Sequence, residues 1–234
     1  MNSRLDKITF TGIDNYTKKE DLIKISKEFP MVEFGFLHSA RWKENGTRHP
    51  NPIEMKRLYD QSVNYSLHLC GAFAGKALVN DYTELKDSLG SQLNCFNRMQ
   101  LNVVGRKVKD SYNVTSPSNN IKQIIIQTAD VDSMDLFDFL ISKNMTNCVP
   151  LFDPSGGKGK YSEITEDMFI FDTDYFGIAG GINLDNCMDV VNNILKYDCW
   201  NRQFWIDMES SVRDNQDRFS TDICYDICKK LNSI

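Results

Sequence analysis

The feature that most constrains this chain is a rhythm. Eight short runs of β-branched, aromatic and aliphatic residues recur along it, each ending in polar residues or glycine. They are Ile8–Phe10, Val32–Leu37, Tyr65–Leu69, Arg98–Leu101, Ile124–Ile126, Cys148–Phe152, Tyr175–Ala179 and Phe204–Met208. Their ends fall near Thr11, His38, His68, Asn102, Gln127, Asp153, Gly180 and Glu209, so successive ends lie 25 to 34 residues apart. A strand of about 5 residues, a helix of about 11 and two short loops add up to that spacing. Helical spacing of apolar residues fills several of the gaps, over Lys18–Phe29, Asp130–Lys143, Asn183–Lys196 and Ser220–Leu231. Eight strand–helix units with no ninth strand predict an α/β chain folded as a (β/α)8 TIM barrel. A doubly wound sheet rarely needs so many even units. The 234 residues suit a single barrel domain over 1–234, since α/β barrels of this length are routinely one domain. A polar stretch rich in Ser and Asn predicts a long loop or insertion at about 105–120, and Trp42–Pro52 a second long loop.

Composition narrows the partners. With 27 basic and 32 acidic residues the net charge is −5, which argues against nucleic acid as a partner while leaving room for one local anion pocket. No run approaches the roughly 20 apolar residues of a membrane span, and the opening MNSRLDKITF lacks an apolar signal core. Seven scattered cysteines without a CxxC read as reduced thiols. The expectation is a cytoplasmic monomer or homodimer that binds no membrane.

In a barrel of this kind chemistry sits at the C-terminal strand ends. Here they form a polar ring that includes Thr11, Asp14, His38, Arg41, His68, Cys70, Gln100, Asn102, Gln127, Asp153, Asp207, Glu209 and Ser210. Ser155-Gly156-Gly157-Lys158-Gly159-Lys160 follows the sixth run, Gly180-Gly181 ends the seventh, and Ser210-Ser211 follows the eighth. Loops after strands seven and eight, with a helix N-terminus, often bind phosphate through free backbone N–H groups. Gly156, Gly157, Gly180, Gly181, Ser210 and Ser211 are therefore the expected phosphate-binding residues. The P-loop pattern is absent. Arg41 and Arg48 suit an anionic group on a ligand. His38, His68, Asp207 and Glu209 could in principle hold a metal, but no HxH or HExxH spacing supports one, so neither metal nor cofactor is expected.

Three segments resemble phosphoribosylanthranilate isomerase, the Amadori-rearranging barrel of tryptophan synthesis. They are Leu151-Phe152-Asp153 with the glycine-rich loop after it, Ala179 to Asn186, and Ile206 to Val212. Phe10-Thr11-Gly12-Ile13, Ser39-Ala40-Arg41 and Met99-Gln100-Leu101 fall where the family has comparable segments. The likeness is specific over about 148–213 and loose elsewhere. It implies a phosphate-binding barrel acting on a phosphorylated sugar or nucleotide-like small molecule by acid/base chemistry, with Asp153 as general acid. The chain departs from the family where a catalytic cysteine is expected, because Thr11 stands there; Ser211 replaces a glycine. An unassisted threonine hydroxyl is a poor base near neutral pH. The base is therefore sought in Cys70, His68 or Glu209, with Thr11, His38, Arg41, Asn102 and Gln127 as ligand contacts, and poor isomerisation of phosphoribosylanthranilate is expected. Two alternatives stand beside this reading: a catalytically inactive protein that sequesters a phospho-ligand, and a metal-assisted hydrolase.

Overall fold

The structure, a computed structural model, describes residues 4–41, 48–156, 159–161, 163–169 and 173–233. Eight parallel strands close into one barrel in sequence order: β1 (Leu5–Thr11), β2 (Val32–Ser39), β3 (Asn64–Cys70), β4 (Arg98–Leu101), β5 (Gln123–Thr128), β6 (Cys148–Phe152), β7 (Tyr175–Ile178) and β8 (Gln203–Met208). β8 returns to β1 with Thr9 beside Asp207, which closes the ring. The ends of each strand fall within about three residues of its predicted run.

Among the described residues seven α-helices pack outside: α1 (Lys19–Glu28), α2 (Pro52–Leu58), α3 (Ala72–Ala77), α4 (Thr83–Leu89), α5 (Val131–Ser142), α6 (Cys187–Tyr197) and α7 (Thr221–Leu231). Their boundaries follow local chemistry. Asp130 and Ser133 form a reciprocal capping box that starts α5, and the Ser220 hydroxyl caps α7. α6 begins four residues later than its apolar pattern suggests. The Asn183 side chain accepts from the N–H groups of Asp185 and Asn186, and the Asn186 side chain accepts from the N–H of Asn183, so these residues form a turn first.

The regular strand–helix alternation is not complete. Among the described residues, the connections after β4 and β6 contain no α-helix. The stretch expected as a polar loop at about 105–120 buries Tyr112 and Val114, and Val103 and Ile121 just outside its two ends are buried as well.

Alternation along each strand sorts the residues into two layers. Ile8, Phe10, Phe34, Phe36, Leu67 and Met99 belong to the main core between barrel and helices. The barrel interior has an apolar half, with Ile125, Val149, Leu151 and Trp205 packed together. Its other half is polar. Arg98 donates to both oxygens of Glu33 (2.7–3.1 Å) and to Thr9 Oγ1 (3.1 Å), and its guanidinium stacks 4.5 Å from the Trp205 ring. Gly177 gives Trp205 its place, because any Cβ there would overlap the indole. This plug closes the barrel floor and leaves the chemistry above it.

Candidate active site

Above the plug, the strand ends enclose a cavity of about 80 Å³. Its wall carries three acids: Asp153 from β6, and Asp207 and Glu209 from β8. Thr11, His68, Gln100, Asn102 and Gln127 complete the polar side, while Leu151 and Ala179 lie on the other.

Asp207 is the most perturbed of these acids. It is buried, and burial away from water pushes its carboxyl up to about 8. The nearby charges of Glu209 and Glu33 push the same way, while the Thr11 hydrogen bond and Arg98 oppose it. The Thr11 hydroxyl donates to Asp207 Oδ1 at 2.8 Å. Thr11 therefore has the carboxyl partner that the sequence did not reveal. Asp153 is held differently. Gln127 Nε2 donates to Oδ2 at 2.7 Å, and Ser155 donates to Oδ1 through its hydroxyl (2.6 Å) and its N–H (3.2 Å). Two buried carboxyls thus share one cavity with different hydrogen-bond partners. Burial also raises Glu209, offset by Arg48, whose guanidinium reaches it at 3.2 Å and Asp217 at 2.6 Å.

The other expected bases are less suited. Burial pushes the Cys70 thiol up to about 12 and the His68 imidazole down to about 3, so one keeps its proton and the other stays neutral at physiological pH. His68 lines the cavity and pairs with the Ser66 hydroxyl at 2.9 Å; Cys70 does not line it. His38 faces the other way. It shares strand parity with Phe34 and Phe36, stacks on Phe73 of α3 at 5.1 Å and bonds Ser88 of α4 at 3.2 Å. The expectation that His38 contacts a ligand is thereby corrected. Arg41 is exposed and does not line the cavity either.

Gly180, Gly181, Ser210 and Ser211 all line the cavity. Both glycines adopt left-handed backbone, φ 96° and 68°, which favours glycine. Any Cβ on Gly181 would overlap the backbone at Lys160 and Tyr161, so the loop after β6 lies directly against it. A 3-10 turn over Ser210–Val212 follows β8, and the Ser211 hydroxyl donates to the Ile182 carbonyl. The loops after β6, β7 and β8 thus meet at one rim. Gly156 stands behind it and does not line the cavity; Gly157, Lys158 and Trp42 lie outside the described residues. Among the described residues no three His, Cys, Asp or Glu side chains gather closely enough to hold a metal ion.

The comparisons with known proteins agree with this fold. A family model described as N-(5'phosphoribosyl)anthranilate (PRA) isomerase matches residues 96–217, just over half of the chain. The chain belongs to the phosphoribosylanthranilate isomerase family. Among solved structures, a phosphoribosylanthranilate isomerase in complex with reduced 1-(o-carboxyphenylamino)-1-deoxyribulose 5-phosphate is 15% identical, with a TM-score of 0.56 over 98% of this chain and 100% of that one. Monomers generated from the dimeric isomerase of Thermotoga maritima are 15% identical, with a TM-score of 0.53 and the same coverage. A truncated 3-deoxy-D-arabino-heptulosonate 7-phosphate synthase from Thermotoga maritima is 9% identical, with a TM-score of 0.54 over 99% of this chain and 87% of that one. At these identities the likeness is one of fold. Comparison with curated proteins gave no match. No helix among the described residues is long and apolar enough to cross a membrane.

The sequence gives no separate role to Ser155, and it offers Asp207 only as a strand-end acid and possible metal ligand. Asp207 and Gln100 stood in the polar ring, but the hydrogen bond from Thr11 spans 196 positions of chain and has no local signature.

Proposed function

We propose that this barrel rearranges a phosphorylated sugar derivative from aldose to ketose form, with Asp207 and Asp153 moving the protons. The observation that carries the reading is that Asp207, bonded to Thr11, and Asp153, bonded to Gln127 and Ser155, line one cavity. Family membership supports the substrate class, and so does the sugar phosphate held in the related isomerase structure.

The roles follow from where the protons reside. Asp207 keeps its proton up to about pH 8, so it enters as the acid. It protonates the ring oxygen as the sugar opens, and Thr11 keeps its carboxyl oriented. Asp153, already an acceptor toward Gln127 and Ser155, takes the proton from the adjacent carbon. This reverses the expectation that Asp153 is the acid, and it moves the base away from Cys70, His68 and Glu209. The phosphate lies at the rim formed by Gly180, Gly181, Ser210 and Ser211, where backbone N–H groups follow the strand ends. The Lys160 side chain, exposed on the adjoining loop, adds positive charge there.

Phosphoribosylanthranilate, followed by loss of fluorescence, is the first substrate to test; with Asp153 rather than Thr11 as base, the poor isomerisation expected from the sequence no longer follows. Asp207→Asn and Asp153→Asn should each lower its turnover by about 10²-fold or more, the usual range for general acid–base groups, while inorganic phosphate binding stays the same. Turnover unaffected by either change would remove the carboxyls from the mechanism. A second reading, a binder that sequesters a phospho-ligand, is favoured by Thr11 standing at the position of the family's cysteine. It predicts tight binding with no turnover in any form.

A further inference from the structure

Resting on the phospho-sugar reading, we propose that Gln100 selects ligands by accepting a hydrogen bond from a sugar hydroxyl, and that Cys70 is the positioning residue that sets its amide. Gln100 lines the cavity, is 4% exposed, and its Oε1 has no hydrogen-bond partner. A buried carbonyl oxygen without a donor is costly unless something supplies one. The open question at such an amide is which end faces the cavity, and here a directional chain decides it.

The chain starts at Cys70. Its thiol donates to the His68 carbonyl, Sγ to O 3.8 Å, so the sulfur can only accept from its other neighbour. Asn102 Nδ2 donates to that sulfur at 3.2 Å. The Asn102 oxygen is therefore turned away from Cys70, and it accepts from Gln100 Nε2 at 2.9 Å. Gln100 is left with its oxygen unsatisfied. Burial keeps the thiol hydrogen in place, which holds the whole sequence in one sense. Each of Arg98, Gln100 and Asn102 sits on the inward face of β4 or its extension, so the relay runs along the cavity wall. A ligand hydroxyl completes it as the missing donor. A ligand without one leaves the carbonyl unpaired and is rejected, as in sites built to read a single polar group.

The test is calorimetric titration of ribose 5-phosphate and of inorganic phosphate, used as probes, against wild type, Gln100→Leu, Cys70→Ala and Cys70→Ser. Gln100→Leu should weaken ribose 5-phosphate by about 5–30-fold, the size expected for one buried hydrogen bond. Inorganic phosphate should stay within about twofold, which also shows that the site is folded. Cys70→Ala frees both amides to turn and should cost ribose 5-phosphate a smaller factor, recovered in part by Cys70→Ser. An unchanged ratio of the two affinities in Gln100→Leu would overturn the proposal. Should that variant not fold, an unchanged ratio in Cys70→Ala would overturn it. If wild type binds both probes but no variant alters their ratio, this inference fails and the functional reading survives. If wild type binds neither, both fall.

Discussion

At Asp207 the role we propose and the stability of the fold pull in opposite directions. Its carboxyl in the folded protein lies near 8, far above its ordinary value of 3.8. The folded state therefore holds a proton that the unfolded chain releases. Stability from this group is full below pH 4 and is lost as pH rises toward 8. Asp207→Asn does not titrate, so its stability relative to wild type should climb between pH 4 and pH 8 and then level off. Melting temperatures across that range test this, and a gap independent of pH would contradict it. The same variant should be the less active one, the familiar trade between a strained site and a stable fold. In the sequence, Asp207 was one member of a polar ring. What raises it above the others is burial, with the charges of Glu209 and Glu33 adding to it, and burial depends on contacts between strands at opposite ends of the chain.

At the scale of elements, β2 and β4 are joined through the barrel interior by the Glu33–Arg98 pair, both partners nearly fully buried. Removing one partner leaves a buried charge alone. Arg98→Met should cost about 3–5 kcal/mol in denaturant unfolding, and the double change Glu33→Leu with Arg98→Met should recover most of it. Equal losses in the single and double variants would show that Arg98 acts through packing on Trp205 rather than through charge. His38 joins β2 to α3 and α4 on the outer side. Burial lowers its imidazole to about 4 from 6.5, so its contribution is present above pH 6.5 and is lost as pH falls through 4. His38→Phe retains the stack on Phe73 and should flatten the decline in melting temperature over that range; an undiminished decline would place the acid sensitivity elsewhere, with buried His68 the next candidate. The direction of His38 was legible in the sequence, since it lies an even number of residues from Phe34 and Phe36. Its position at a strand end pointed to the site and obscured that parity.

At the scale of the whole molecule, the barrel was legible because each strand carries a compact apolar run, and a closed parallel sheet needs nothing else to set its order. The helices were legible in proportion to their length. α1, α5 and α7 show full apolar faces, whereas α2, α3 and α4 have six or seven residues each, too few for a helical period to emerge. The rim was legible through Gly180, Gly181, Ser210 and Ser211, whose residue types reflect local backbone needs. The proposed acid/base pair was not, because it depends on what each carboxyl touches. Turnover of phosphoribosylanthranilate from pH 5.5 to 9.5, in wild type and Asp207→Asn, tests the resulting account most directly. With Asp207 as the acid, wild-type turnover stands above the uncatalysed background and falls as pH rises through about 8, when that proton is lost, and Asp207→Asn is about 10²-fold slower with no such fall. No turnover at any pH, or a wild-type profile that continues undiminished past pH 9, would contradict it.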